Sequence, residues 1–256
     1  MQSHLAEAGA SASGPAPSPR GDAPHWTPRR IGIVAALWLI GAVVLAGLSV
    51  QAHRYSEFPG DVGVAQAIQQ IRLPLLVQII NFASDANWPQ PAGIIAIATI
   101  AFLALFRHFR AALGAAVAGF GADGANVLLN GWVARPRPNN ISIHSVAHLG
   151  LHSFPSGHVT HVTAFYGFLL YLSIGALRRY PQWRLALRAV QVVCLYFLVF
   201  IGPSRVLEGE HWPSDVLASY LLGGLVLVIA IAVYHVSGVL VSRVRHERAA
   251  SNVHHG

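Results

Sequence analysis

The chain has 256 residues, 54% of them hydrophobic and only 11% charged, with a net charge of +7. A soluble domain carries about 25% charged residues, so this composition excludes an ordinary water-soluble fold and indicates a bilayer protein. All the basic charge is arginine, and the single cysteine, Cys194, excludes an intrachain disulfide and reads as a small core residue.

Residues 1–30 are rich in Ala, Ser, Gly and Pro and show no apolar period, the composition of a disordered cytoplasmic tail. Residues 31–50, IGIVAALWLIGAVVLAGLSV, carry no formal charge and match the roughly 20 residues needed to cross a bilayer. This run is longer than a signal-peptide core of about 7–15 apolar residues and begins thirty residues into the chain, so it reads as a retained span. The next forty residues form one long segment, within which LPLLVQIINFA (73–83) is helical but too short to span. It is expected as an interfacial or re-entrant helix. Further spans are predicted over 91–106, 111–133, 159–177, 185–202 and 216–241. The fold class is therefore all-α: a membrane bundle of six transmembrane helices over 31–242, followed by a short polar tail at 243–256.

With six spans, twelve of the seventeen arginines share one side: Arg20, Arg29, Arg30, Arg107, Arg110, Arg178, Arg179, Arg184, Arg188, Arg243, Arg245 and Arg248. The positive-inside rule makes that side the cytoplasm and places both termini there. Arg54, Arg72, Arg135, Arg137 and Arg205 then face outward. The orientation signal accounts for the net charge, and no nucleic-acid partner is called for.

Three polar clusters fall at the outer ends of the predicted spans: NGWVARPRP (130–138), FPSGH (154–158) and SRVLEGEHWPSD (204–215). Arg137 and Arg205 offer planar guanidinium forks that bind two phosphate oxygens and stay charged at any working pH. Ser156 supplies a hydroxyl, Gly157 lets backbone N–H groups approach an anion, and His158 opens a helix whose positive end favours one. His211 and Asp215 lie four residues apart with Pro213 suited to a helix's first turn. A carboxylate on one imidazole nitrogen would fix the tautomer and leave the other nitrogen to act as nucleophile.

Together these clusters resemble the type-2 phosphatidic-acid phosphatases, which share a fold with vanadium haloperoxidases. That family's signature is a lysine, six residues and Arg-Pro; then PSGH; then Ser-Arg, five residues, His, three residues and Asp. Here the second part is intact at Pro155–His158 and the third at Ser204, Arg205, His211 and Asp215, while Arg-Pro falls at Arg137–Pro138. The lysine position holds Asn130, which can still donate to a phosphate oxygen but without charge assistance; Arg135 is a candidate to compensate. The resemblance covers roughly residues 90–240.

It implies a cell-membrane phosphatase acting on a lipid phosphate or an isoprenyl diphosphate, with the site on the extracytoplasmic face. His211 would form a phosphohistidine oriented by Asp215, and His158 would protonate the leaving oxygen. Arg137, Arg205, Ser156, Gly157 and Asn130 would hold the phosphate, and no metal or other cofactor would be required. The alternative reading is a lipid-phosphate binder or transporter with a site weakened at Asn130. A vanadate-dependent oxidoreductase fits six spans poorly.

Other polar residues have plainer readings. His144, His148 and His152 have a helical spacing that suits zinc, but Gly150 interrupts the run and no acid accompanies it, so they read as loop histidines. Asp123, with Asn126 and Asn130 on the same helical face, either organises the floor of the site or makes a polar helix contact. Glu208 and Glu210 read as solvated loop charges, with Arg205 a partner when phosphate is absent. Trp88, Trp132 and Trp212 read as interface anchors.

Overall fold

The computed structural model describes residues 27–140, 142–145 and 152–254, with side chains through residue 239. Among the described residues nine α-helices follow in order: α1 Pro28–Arg54, α2 Asp61–Gln69, α3 Pro74–Asp85, α4 Pro89–Leu105, α5 Phe109–Ala116, α6 Ala122–Val133, α7 Gly157–Arg179, α8 Arg184–Leu207 and α9 Pro213–His254. No strand occurs among the described residues; the one extended contact is an isolated bridge between Pro136 and His152. The all-α expectation therefore holds.

Proline sets several of the helix starts. Pro28, Pro74, Pro89 and Pro213 each open a helix, where the missing N–H is no loss and φ is already helical. Thr27 caps α1 by accepting from the Arg30 amide at 3.3 Å. At α9, the Asp215 carboxylate reaches back to accept from the amide of Trp212 at 2.9 Å. This is the carboxylate half of a capping box, and it fixes where that acid points.

Among the described residues five segments are long and apolar enough to cross a membrane: α1, Phe109–Val133, α7, Pro181–Leu207 and Pro213–Val239. The sixth expected crossing differs from the simple helix over 91–106. There α3 and α4 form a pair bent by 64° at a short break, a broken span or re-entrant loop that makes the count six when taken as one crossing. The run 73–83 is thus part of a membrane element. Phe109–Val133 passes through a π-helical turn at Val117–Gly121, and Asp123 follows directly. The helix α9 continues to His254, beyond the expected end of the last span.

The bundle packs around α7, which lies against α8 and α9 and whose Val159, Val162, Phe165 and Phe168 are fully buried, with Phe165 and Phe168 also facing Gly119 and Gly114. Leu37, Ile40 and Val43 of α1 and Leu185, Val192 and Val199 of α8 are exposed, the apolar belt that lipid requires. Small residues set the spacing within the bundle. A Cβ at Gly223 of α9 would lie 2.6 Å from Thr163 Cβ and 2.8 Å from the Thr160 carbonyl of α7, so glycine permits the close approach. Gly223→Leu is accordingly expected to destabilise the bundle by about 3 kcal/mol, the overpacking range, read as a lower melting temperature in detergent.

The ends of α1, α6 and α8 and the starts of α4, α7 and α9 meet at one end of the bundle. His53 Nδ1 lies 3.1 Å from the Val133 carbonyl, Trp88 packs edge-on to His158, and His211 contacts Ser153. All three polar clusters lie at this end.

Candidate active site

The site is assembled from the links α6–α7 and α8–α9 and from the N-terminus of α7. After α6, the extended run 135–137 lies beside 152–153, held by the Ser153 amide on the Arg135 carbonyl at 2.8 Å and Ser153 Oγ on the Pro136 carbonyl at 2.9 Å. That pairing aims the Ser153 carbonyl at His211, whose Nδ1 donates to it at 2.7 Å. With Nδ1 so occupied, Nε2 is the basic nitrogen, and it lies 3.5 Å from Nη1 of Arg137.

This corrects one expectation. Asp215 does not sit in hydrogen-bonding contact with the imidazole: its Oδ2 is 3.9 Å from Nδ1. The carboxylate is spent instead on the Trp212 amide and on Arg135. A backbone carbonyl orients His211, and Asp215 lies beyond hydrogen-bonding reach of the ring. Burial, reinforced by the guanidinium groups of Arg205 and Arg137, lowers the His211 pKa well below its ordinary value. The neutral form of the ring is therefore favoured.

Arg135 is likewise not a mobile substitute for the missing lysine. It is fully buried, ion-paired to Asp61 of α2 at 2.9 Å and to Asp215, and it donates to Ser214 Oγ and the Ser56 carbonyl. Phe58 covers its guanidinium at 4.5 Å. Asp61 also accepts from the Ser214 amide and hydroxyl. This buried network anchors the start of α9 to a helix far upstream.

Arg137 and Arg205 do meet at the site. Arg137 pairs with Glu210 at 2.7 Å; burial lowers its pKa, and Glu210 opposes that shift. Arg205 is fully buried, with Nη1 donating to Ser84 Oγ and Glu208 Oε2. Its Nε and Nη2 have no partner among the described residues. These two N–H groups lie on one edge of the guanidinium, a side-on fork of the shape that suits two oxygens of an oxyanion. Burial raises the Glu208 pKa, against the pull of Arg205. The Glu208–Arg205 pairing matches expectation, whereas Glu210 is 1% exposed and is no solvated loop charge.

Ser156 precedes α7 at the N-cap position but makes no capping bond. Its hydroxyl is buried without a partner among the described residues, as is Nε2 of His158. The Ser156 amide donates to Ser219 Oγ, which in turn donates to the Asp215 carbonyl. This chain pins the loop against α9. Gly157 is the first residue of α7, where backbone N–H groups have no intrahelical acceptor.

The polar face of α6 holds the loop from below. Asn126 donates to the Pro155 carbonyl at 3.1 Å, and Asn130 donates to the Phe154 carbonyl at 3.1 Å. The Asn130 amide thus supports the loop, where a contact to phosphate had been expected. Asp123 pairs with His161 at 2.9 Å, so this stripe joins α6 to α7 beneath the site.

The tryptophans divide. Trp132 is 54% exposed and stacks on His53, consistent with an anchor, whereas Trp212 is 2% exposed and belongs to the interior. Trp88 opens α4 and meets the His158 ring edge-on at 6.0 Å between centroids. Cys194 is buried, as expected. His148 lies outside the described residues, so the expected histidine spacing at 144–152 is not traced. Three contributors had no sequence signal that named them: the Ser153 carbonyl, Asp61 and Ser84.

The PAP2 superfamily model matches residues 107–238, about half the chain and all three clusters. The chain belongs to the PAP2 superfamily. Among relatives of this PAP2 chain, the lipid A 1-phosphatase of Rhizobium etli is 31% identical over 120 residues, covering 44% of this chain and 46% of that protein. The phosphatidylglycerophosphatase B of Bacillus subtilis is 30% identical over 111 residues, covering 43% and 52% respectively. The chain therefore spans about half the length of the curated relatives it matches. A crystal structure of the transmembrane PAP2-type phosphatidylglycerolphosphate phosphatase from Bacillus subtilis superposes with a TM-score of 0.61 over 76% of this chain and 94% of that one, at 22% identity. That likeness shows a shared membrane-helical fold.

Proposed function

We propose that this multi-pass membrane protein is a metal-independent phosphatase for a phosphate-bearing lipid, with both termini cytoplasmic and the site on the extracytoplasmic face. The observation that carries the reading is the state of His211: Nδ1 is held on the Ser153 carbonyl, and Nε2 is basic and beside Arg137. The unpartnered edge of Arg205, the Ser156 hydroxyl and His158 Nε2 complete the set.

In the proposed reaction Nε2 of His211 attacks phosphorus and an N–P bond forms. The P–O bond to the lipid breaks, and His158 gives its proton to the departing oxygen. His158 then takes a proton from water, whose oxygen attacks the phosphohistidine. The N–P bond breaks, releasing inorganic phosphate and neutral His211. Arg137, Arg205, Ser156 and the backbone N–H groups at Gly157 hold the equatorial oxygens, where fixed donors are most effective. Asn130 acts by holding the loop that carries Ser156. Asp215 and the Ser153 carbonyl stabilise the positive charge that develops on the phosphorylated imidazole.

The family relatives are phosphatases named for lipid A and for phosphatidylglycerophosphate, which favours a lipid phosphate over an isoprenyl diphosphate. The test is release of inorganic phosphate from phosphatidate, phosphatidylglycerophosphate and an isoprenyl diphosphate by the detergent-purified protein, beside His211→Ala. Release from a lipid monophosphate that disappears in the variant is expected. A folded wild-type protein that binds these lipids without releasing phosphate would instead make it a lipid-phosphate binder or transporter.

A further inference from the structure

The bend between α3 and α4 lies outside the residues matched by the family model, yet it reaches the site at two points. Ser84 ends the last turn of α3 and contacts Arg205, and Trp88 opens α4 and packs on His158. We propose that Ser84 is a positioning residue that, together with Glu208, clamps Nη1 of Arg205 and so turns the Nε–Nη2 edge toward the substrate phosphate. This rests on the phosphate-binding reading of the site given above.

An arginine side chain has four rotatable bonds and a large rotamer entropy. Arg205 is held at one guanidinium nitrogen, Nη1, by two acceptors on different elements: Ser84 Oγ of α3 and Glu208 Oε2 just after α8. The Ser84 hydroxyl accepts from Nη1 and donates its own proton to Glu208 Oε2 at 3.3 Å, so the three groups close a ring of hydrogen bonds. Ser84 is fully buried, as is Arg205. The remaining guanidinium donors, Nε and Nη2, lie on the opposite edge and have no partner among the described residues. A fork fixed on one side and unpartnered on the other is preorganised for an oxyanion. Glu208 alone, three residues from Arg205 on the same chain segment, leaves the guanidinium free to pivot; the second acceptor removes that freedom.

The experiment measures binding of inorganic orthophosphate and of orthovanadate by calorimetry on the full chain in detergent, for wild type, Ser84→Ala and Ser84→Thr. Phosphate release from a lipid monophosphate is followed in parallel. Ser84→Ala is expected to weaken oxyanion binding at least fivefold and to raise KM by a similar factor with a smaller change in kcat. Ser84→Thr, which keeps the hydroxyl, is expected to recover most of the loss. Oxyanion affinity in Ser84→Ala equal to wild type overturns the proposal, as does an equal loss in Ser84→Ala and Ser84→Thr. Oxyanion binding that depends on Ser84 in a protein that releases no phosphate from any lipid leaves the clamp standing and overturns the hydrolase reading. A wild-type protein that binds neither oxyanion overturns both.

Discussion

Arg135→Ala is expected to be the most damaging single substitution outside the proposed catalytic groups, costing roughly 3–5 kcal/mol of stability, the range for breaking a buried ion pair by removing one partner. The guanidinium lies between Asp61 and Asp215, whose side chains are 3% and 0% exposed. Without it two carboxylates remain in a region of low dielectric with only part of their hydrogen bonding. The loss would spread to the site, because the Arg135 carbonyl holds the Ser153 amide and the Ser153 carbonyl holds His211. Arg135→Lys cannot reproduce a fork that serves Asp61, Asp215, Ser214 and Ser56 together. It should recover only part of the stability. Thermal unfolding in detergent reads both variants. A melting temperature for Arg135→Ala within a degree or two of wild type would contradict this account of the network.

His211→Gln is expected to lower kcat by a factor on the order of 10⁴ or more, the scale seen when a nucleophile is removed from a concerted catalytic set, while leaving the fold intact. The pH profile carries a second, independent expectation. Burial and the fields of Arg205 and Arg137 disfavour the imidazolium, so His211, the proposed nucleophile, stays neutral well below the ordinary histidine range of about 6.5. Activity should therefore not fall with a midpoint near 6.5 on acidification. Stability has its own sign. Between the lowered native pKa and about 6.5 the unfolded chain binds the proton and the native chain does not, so stability decreases as pH falls through that window. An acid limb in kcat/KM centred near 6.5 and assigned to His211 would contradict the environment described for it.

Much of this architecture is legible in the sequence because bilayer physics is strict: five long apolar runs are helices, and three motifs place histidines and arginines at one end of the bundle. What was not legible has specific causes. The α3–α4 pair is two helices of twelve and seventeen residues, expected as a re-entrant or interfacial helix and a separate span, and the 64° bend that makes them one broken span or a re-entrant loop had no sequence signal. The spacing of His211 and Asp215 suggests a direct contact. The capping requirement at α9 and the distant Arg135 both compete for that carboxylate, and a backbone carbonyl, invisible to any motif, takes the imidazole. Trp212 has the residue type of an interface anchor, but tertiary packing buries it. Glu210 looks solvated until Arg137 is seen beside it. Asp61 and Ser84 are separated from their partners by 74 and 121 positions, and no local pattern links residues so far apart.

Covalent phosphorylation of His211 is the step on which the proposed hydrolysis turns. The most direct test is a rapid acid-free quench of the purified protein with a phosphate-labelled lipid monophosphate, followed by alkaline digestion-compatible peptide mapping, for wild type and His158→Ala. The account predicts an alkali-stable, acid-labile label on the peptide containing His211, which both forms and decays more slowly in His158→Ala because that variant lacks the acid of the first step and the base of the second. Steady phosphate release with no labelled histidine in either protein would contradict it and make water the direct nucleophile.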